Sequence, residues 1–435
     1  MRRLVLGVLL SVAAVADVTG QLRLPLLGVG LTADAFFDDS VLHEIRLTIN
    51  ERDWQALKDT YLDNTYYPAD FQWGSEIVRN VGIRSRGNVS RSATKPGLSV
   101  DFNRYTEGQR FRGLTSVVLR NNTTDASNLH ERLSMLFLQR AGVPASREAH
   151  TALYINGEYA GLYSIVESVD RSFLRRNFNE DEGYLYNYQY QEPYYLEYRG
   201  PNTSAYVPLP FEPQTHETSP QAEVVERLFY TINETSDSQF RTSIGNYLDL
   251  ESFMRLAAAE AFLADDDSLL GDPGVNNFFL YRFVNTTRFT FLPWDKSQAF
   301  SSETLSVFRN LTDVPESVRN RLMARALTFP DLYDFYLDVL VDCVRIASEP
   351  PEGADGPGWL EREIERQYQQ IYEAAIADPA KPFTNDEFEA AINQLRAFAQ
   401  VRGTFVTDEV NFARAPVQMP SLRYRHWAVP RSRKD

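Results

Sequence analysis

Apolar and polar residues alternate in HEIRLTI (43 to 49), which puts Ile45, Leu47 and Ile49 on one face of a strand. The period then lengthens to a helical one through residue 60. Residues 81 to 102, VGIRSRGNVSRSATKPGLSVDF, read as two strand-like segments flanking a polar loop. Asp125 stands ahead of Leu129, Leu133, Leu136 and Phe137 at helical spacing, and Gly142 and Pro144 supply the stop. TALYINGEYAGLYSIVE returns to alternation, with Asn156-Gly157 as a two-residue hairpin turn.

The pattern changes further along. Residues 191 to 220 are rich in Tyr, Pro, Thr and Gln with little periodicity, which predicts an insertion or long loop. QAEVVERLFYTI and LDLESFMRLAAAEAFLA are helical, and helical spacing resumes over 316–347 and 358–402. The expectation is an α+β chain: a sheet-rich N-terminal lobe over 41–190, the insertion at 191–220, a helical C-terminal lobe over 221–412 and a basic tail over 413–435.

Within the helical half one hairpin stands out. Strands at 278–283 and 288–294 flank a four-residue loop, Val284 to Thr287. If Phe283 pairs with Arg288, the register carries Asn276 opposite Asp295. Asp267 leads into the same end, beside Asp265 and Asp266. An acid, asparagines at a hairpin entry and an aspartate at its exit repeat the layout by which protein kinases place a base and two Mg²⁺ ligands. The same acids also read as a helix cap or loop decoration, and Asn276 and Asn277 as Asx turns. Asp295 follows an apolar strand, Pro293 and Trp294, where a carboxylate wants a cation or a cluster of hydrogen bonds.

A second candidate lies in the polar loop. Arg84, Arg86, Arg91 and Lys95 are interleaved with Gly87, Ser90, Ser92 and Thr94. Backbone amides at a glycine turn, with hydroxyls and cations, suit a polyphosphate, and a solvated basic loop would read the same way. Glu167 ends a strand just before a predicted helix containing Phe173 and Leu174, and is either a surface residue or a contact for adenine or ribose.

Composition narrows the classes. The chain has 435 residues, 43% of them hydrophobic, which is globular. Lys plus Arg number 44 against 59 Asp plus Glu, a net charge of −15, so nucleic acid is not an expected partner. Residues 1–20 carry two arginines, an apolar run from Leu4 to Ala16 and a small-residue end, the pattern of a signal peptide, with 21–40 as leader. That run is shorter than the ~20 residues of a spanning helix, so no stable membrane insertion is expected after cleavage. Cys343 is the only cysteine, and export without disulfides fits a secreted or envelope protein of a bacterium. The five histidines show no zinc spacing, and no Gly-X-Ser-X-Gly elbow is present.

Taken in order, IRSRGNVSRSATKPGLSVDF, FRGLTSVVLRNNTTDASNLHERLSM, RAGVPASREAHTALYINGEYAGLYSIVESVD, NNFFLYRF and FLPWDKSQAF resemble the blocks of the spore-coat CotH kinase family over residues 41 to 300. The resemblance implies a two-lobed, atypical protein-kinase-like fold using ATP and Mg²⁺, or Mn²⁺, to phosphorylate Ser or Thr of a protein partner. It implies Asp267 as catalytic base, Asp295 with Asn276 and Asn277 as metal ligands, and Lys95 as the phosphate-binding lysine. Arg86, Ser90 and Glu167 would complete the nucleotide site. Glu131 is a candidate acid partner for Lys95. Ser297 stands where the family often has a second acid, which leaves open an envelope or coat protein that kept the fold and lost the reaction. A carboxylate-based hydrolase using the acids from Asp265 to Asp295 is a further reading.

Overall fold

The computed structural model describes residues 32–311 and 314–415, together with two paired short strands, β1 (Val15–Ala16) and β2 (Leu22–Arg23). Apart from β1, the expected signal peptide lies outside the described residues, as do the tail beyond Ala415 and most of the leader.

Seven strands form the sheet of the first unit: β3 (His43–Ile49), β4 (Tyr67–Trp73), β5 (Glu76–Arg86), β6 (Gly97–Asp101), β7 (Ser116–Arg120), β8 (Glu148–Ile155) and β9 (Glu158–Glu167). They close into a barrel in the order β3-β4-β5-β6-β7-β9-β8, antiparallel except for the β3–β8 pair. Alternation does what it predicts: Ile45, Leu47 and Ile49 are buried with Ile83, Val100, Leu119, Leu153 and Ile165. Helix α1 (Glu51–Asp59) starts where the Asn50 side chain accepts the Arg52 N–H. Asn156 and Gly157 turn the β8–β9 hairpin with φ of 52° and 89°, the left-handed pair that a type I′ turn requires. Phe36, Phe71, Phe102 and Phe111 of the barrel core, with the partly buried Trp73 packed on them, are joined by edge-to-face contacts.

The second unit is mixed. Its helices are α2 (His130–Arg140), α3 (Arg171–Phe178), α4 (Ala222–Glu234), α5 (Asp237–Ile244), α6 (Leu250–Phe262), α7 (Arg321–Ala326), α8 (Pro330–Ser348), α9 (Trp359–Ala377) and α10 (Asn385–Arg414). Its sheet, in the order β11-β10-β12-β13, comprises β10 (Tyr184–Tyr188), β11 (Phe211–Pro213), β12 (Phe278–Arg282) and β13 (Phe289–Pro293). Phe173 and Leu174 of α3 pack on Leu185, Phe279, Tyr281 and Leu292 of this sheet, while α8 packs against α6 and α10. Asp125 anchors α2 by accepting the His130 N–H at 2.8 Å.

The chain is thus α+β, and it departs from the sequence reading in places, the run 316–347 among them, which divides into α7 and α8 ahead of Pro330. The stretch 191–220 contains β11, which its poor periodicity hides because the strand is three residues long. The run 358–402 is two helices, since Pro379 and Pro382 interrupt the hydrogen-bond ladder and Thr384 with Glu387 forms a capping box that starts α10, which continues to Arg414. By their contacts, residues 122–146 and everything from Val169 to Ile376 group with the helices, while Ala377–Lys381 group with the barrel. Among the described residues no helix is long and apolar enough to cross a membrane.

Candidate functional site

The hairpin has the register read from the sequence. Phe278 faces Pro293, Arg282 faces Phe289, and the ladder continues outward through Phe283 N–H to Arg288 O at one end and Trp294 N–H to Asn277 O, 3.0 Å, at the other. One step beyond lie Asn276 and Asp295. Helix α6 delivers Asp267 to this end. Its last carbonyls, Ala261 O and Phe262 O, are taken by the buried Arg402 guanidinium at 2.6 and 2.8 Å, and Ala264 then turns the chain at φ 51°. A non-glycine residue there costs energy unless its surroundings hold it; Phe300 N–H to Leu263 O and the Ser301 hydroxyl to Ala264 O hold it here.

The nearby acids are distinguished by what each one faces. Asp265 pairs with Lys296 at 3.0 Å, and Asp266 with Arg309 at 2.8 Å. Asp272 takes Arg309 as well, together with Asn310 Nδ2 at 2.9 Å. Asp267 is different: its carboxylate accepts Asn276 Nδ2 and Asn277 Nδ2, each at 2.9 Å, and no Lys or Arg among the described residues pairs with it. Burial raises its pKa, and the two amides only partly oppose that. A half-buried carboxylate held by neutral donors stays a competent proton acceptor, because no salt bridge has to be broken to use it.

Lys296 is the residue that sequence reasoning passed over. It follows Asp295, is fully buried, and puts its ammonium between Glu260 at 2.7 Å and Asp265 at 3.0 Å. Burial works against its charge, but the two carboxylates outweigh that and raise its pKa; burial likewise raises that of Glu260. The other oxygen of Asp265 accepts the Asp267 N–H at 3.1 Å, and Glu131 accepts the Lys296 N–H at 2.7 Å. One buried lysine therefore ties together the backbones carrying Asp295 and Asp267. The only sequence signal was a lysine at the end of an apolar strand, where a charge needs a partner. Arg402, 140 residues from the carbonyl of Phe262, left no such signal.

Asp295, at φ 48°, accepts the Ser297 hydroxyl at 2.9 Å, so the residue standing in place of a second acid steadies the first. Asp267, Asp295, Asn276 and Asn277 are all partly exposed, while Asp265 and Lys296 behind them are buried. The asparagines spend their nitrogens on Asp267 and retain Oδ1. Carboxylate and amide oxygens are the donors a hard cation such as Mg²⁺ prefers, so the residues present fit that ion.

The barrel carries the other candidates. Lys95 is 1% exposed and pairs with Asp378 at 2.7 Å; burial lowers its pKa and Asp378 offsets part of that. Glu131, a candidate partner for Lys95, instead accepts the Lys296 N–H. Ser90 lends its carbonyl to Asn121 Nδ2 at 2.8 Å, and Arg86 is half-buried at the end of β5. Arg91 spends its guanidinium on the carbonyls of Gly87, Tyr61 and Asp63 and on Asn64, so part of the basic loop is scaffold. Glu167 is buried and paired with Arg147 at 2.6 Å, which excludes the surface reading.

The profile of the CotH kinase protein family matches residues 83–406. "Inner spore coat protein H" of Bacillus subtilis (strain 168) is 21% identical over 372 residues, which cover 84% of this chain and 97% of that protein. The crystal structure of a Helicobacter pylori proinflammatory kinase, CtkA, aligns over 73% of this chain and 93% of its own at 10% identity, with a TM-score of 0.28, too low to bear on the fold.

Proposed function

Since the chain belongs to the CotH kinase protein family, we propose that it is an exported, atypical, two-lobed protein kinase that transfers the γ-phosphate of ATP to Ser or Thr of a protein partner. The observation that carries this reading is the environment of Asp267, at the mouth of the hairpin: of the four acids between 265 and 272, it is the one held by side-chain amides without a Lys or Arg partner among the described residues. In the proposed reaction the acceptor oxygen forms the new bond to phosphorus, its proton passes to Asp267, and ADP leaves. A general base of this kind contributes ~10² to 10⁴ in rate, the remainder coming from positioning and charge neutralisation. Asp295, Asn276 and Asn277 would hold Mg²⁺, or Mn²⁺, which when bound neutralises phosphate charge. Lys95 with Arg86, Ser90 and Glu167 would serve the nucleotide from the barrel.

A second reading, a coat or envelope assembly protein without the reaction, draws on the likeness to a spore coat protein and on Ser297. Purified protein incubated with Mg²⁺ and γ-labelled ATP, with and without a generic Ser/Thr acceptor, separates the two. Label on protein supports the kinase; ATP that is neither bound nor consumed supports the assembly protein.

A further inference from the structure

Lys95 is held at three points. Its N–H donates to Ser92 Oγ at 3.1 Å, its carbonyl accepts Asn121 Nδ2 at 2.7 Å, and its ammonium meets Asp378 at 2.7 Å, 5.1 Å from the Tyr163 ring centroid. Asp378 comes from the break between α9 and α10, far outside the segments that suggested a nucleotide site. Its carboxylate is fully engaged: Oδ2 also accepts the Leu162 N–H at 3.0 Å, where β9 runs on past the end of its pairing with β7, and Oδ1 accepts the Ala380 N–H at 2.9 Å.

The barrel makes room for this carboxylate. Gly161 has φ +134°, and a Cβ on it would stand 2.6 and 2.7 Å from the two oxygens of Asp378. Glycine at 161 therefore admits the acid on both backbone and steric grounds. Stability alone is a poor reason for such a pair, since replacing buried ion pairs by apolar residues is often neutral or stabilising. A lysine that must meet phosphates does need an acid to fix it, the part a glutamate plays in protein kinases.

We infer that Asp378 is the positioning residue for Lys95, so that the turn between α9 and α10 is a working part of the nucleotide site. This rests on the kinase reading of Lys95. It also gives the chain beyond residue 345 a role in phosphate binding.

The test is a double-mutant cycle read by calorimetry of Mg·ATP. Asp378→Asn and Lys95→Met should each weaken ATP binding roughly tenfold, the scale of a lost charge-assisted contact. The double variant should bind no worse than Lys95→Met, because Asp378 acts only through the lysine. Asp378→Glu should recover part of the affinity, which a purely structural defect would not. If Asp378→Asn binds ATP within twofold of wild type, or if the two losses multiply in the double variant, the inference is wrong. Should Asp378→Asn not fold, the neutral pair against Lys95→Met gives the same comparison: equal affinity supports positioning, and a further loss overturns it. Wild-type protein that binds no Mg·ATP removes the kinase reading itself, whereas unchanged variants of an ATP-binding wild type remove only this inference.

Discussion

Asn277 donates its side-chain amide to both the carboxylate and the main-chain carbonyl of Asp267, at 2.9 Å each. Its own backbone sits at φ 56°, a conformation asparagine tolerates, and its carbonyl closes the hairpin ladder with Trp294. The residue that ends the sheet is thus the one that aims the acid.

These amides have a pH signature. Burial holds Asp267 above the ordinary carboxylate value, while Asn276 and Asn277 pull it back. Asn276→Ala should raise that pKa further, so the acid limb of the kcat/KM profile should move to higher pH. A limb at the wild-type position would exclude Asp267 as the titrating base. The stability sign follows from the same shift: an acid whose pKa is raised on folding adds stability below its unfolded value, and that stability is lost as pH rises through the folded value. Denaturant titrations of Asp267→Asn should lack this component.

Metal and nucleotide should be linked. ATP should raise Tm in Mg²⁺ or Mn²⁺ and not in EDTA, by mass action on the native state. Asp295→Asn should abolish the difference while keeping the fold. Equal stabilisation in EDTA would remove the metal from the site.

Lys296 should matter more for folding than any surface lysine. Lys296→Met leaves Glu260 and Asp265 buried together without their cation, a loss of about 3–5 kcal/mol in urea unfolding. Adding Glu260→Gln and Asp265→Asn should restore most of it. Because its pKa is raised, this contribution is complete below the ordinary value of 10.5 and is lost only as pH climbs through the folded one. A single variant within 1 kcal/mol of wild type would show that the ammonium is not the tie between Asp295 and Asp267.

The hairpin was legible because period-2 alternation and a four-residue loop leave one register, which places Asn276 and Asp295 at the same end. The strand of Ile45, Leu47 and Ile49 and the Asn156-Gly157 turn were legible for the same reason: local pattern and turn chemistry agree. The supports were not. Lys296 meets Glu260, Asp378 meets Lys95, and Arg402 meets Phe262 O across 36, 283 and 140 residues. Nothing in the spacing of charges along a chain announces which of many acids a buried cation will find. Pro379 and Pro382 did mark the break that carries Asp378, but a helix stop says nothing about what the turn beyond it touches.

The sharpest comparison sets Asp267 against its neighbours in one phosphoryl-transfer assay, with Mg·ATP affinity measured alongside. Asp267→Asn should lose at least about a hundredfold in transfer, the size of a missing general base, with ATP affinity little changed. Asp266→Asn and Asp272→Asn, which give up only their contacts to Arg309, should stay within a few-fold of wild type. Transfer by Asp267→Asn at close to the wild-type rate, or a dead Asp272→Asn beside an active Asp267→Asn, would contradict the assignment.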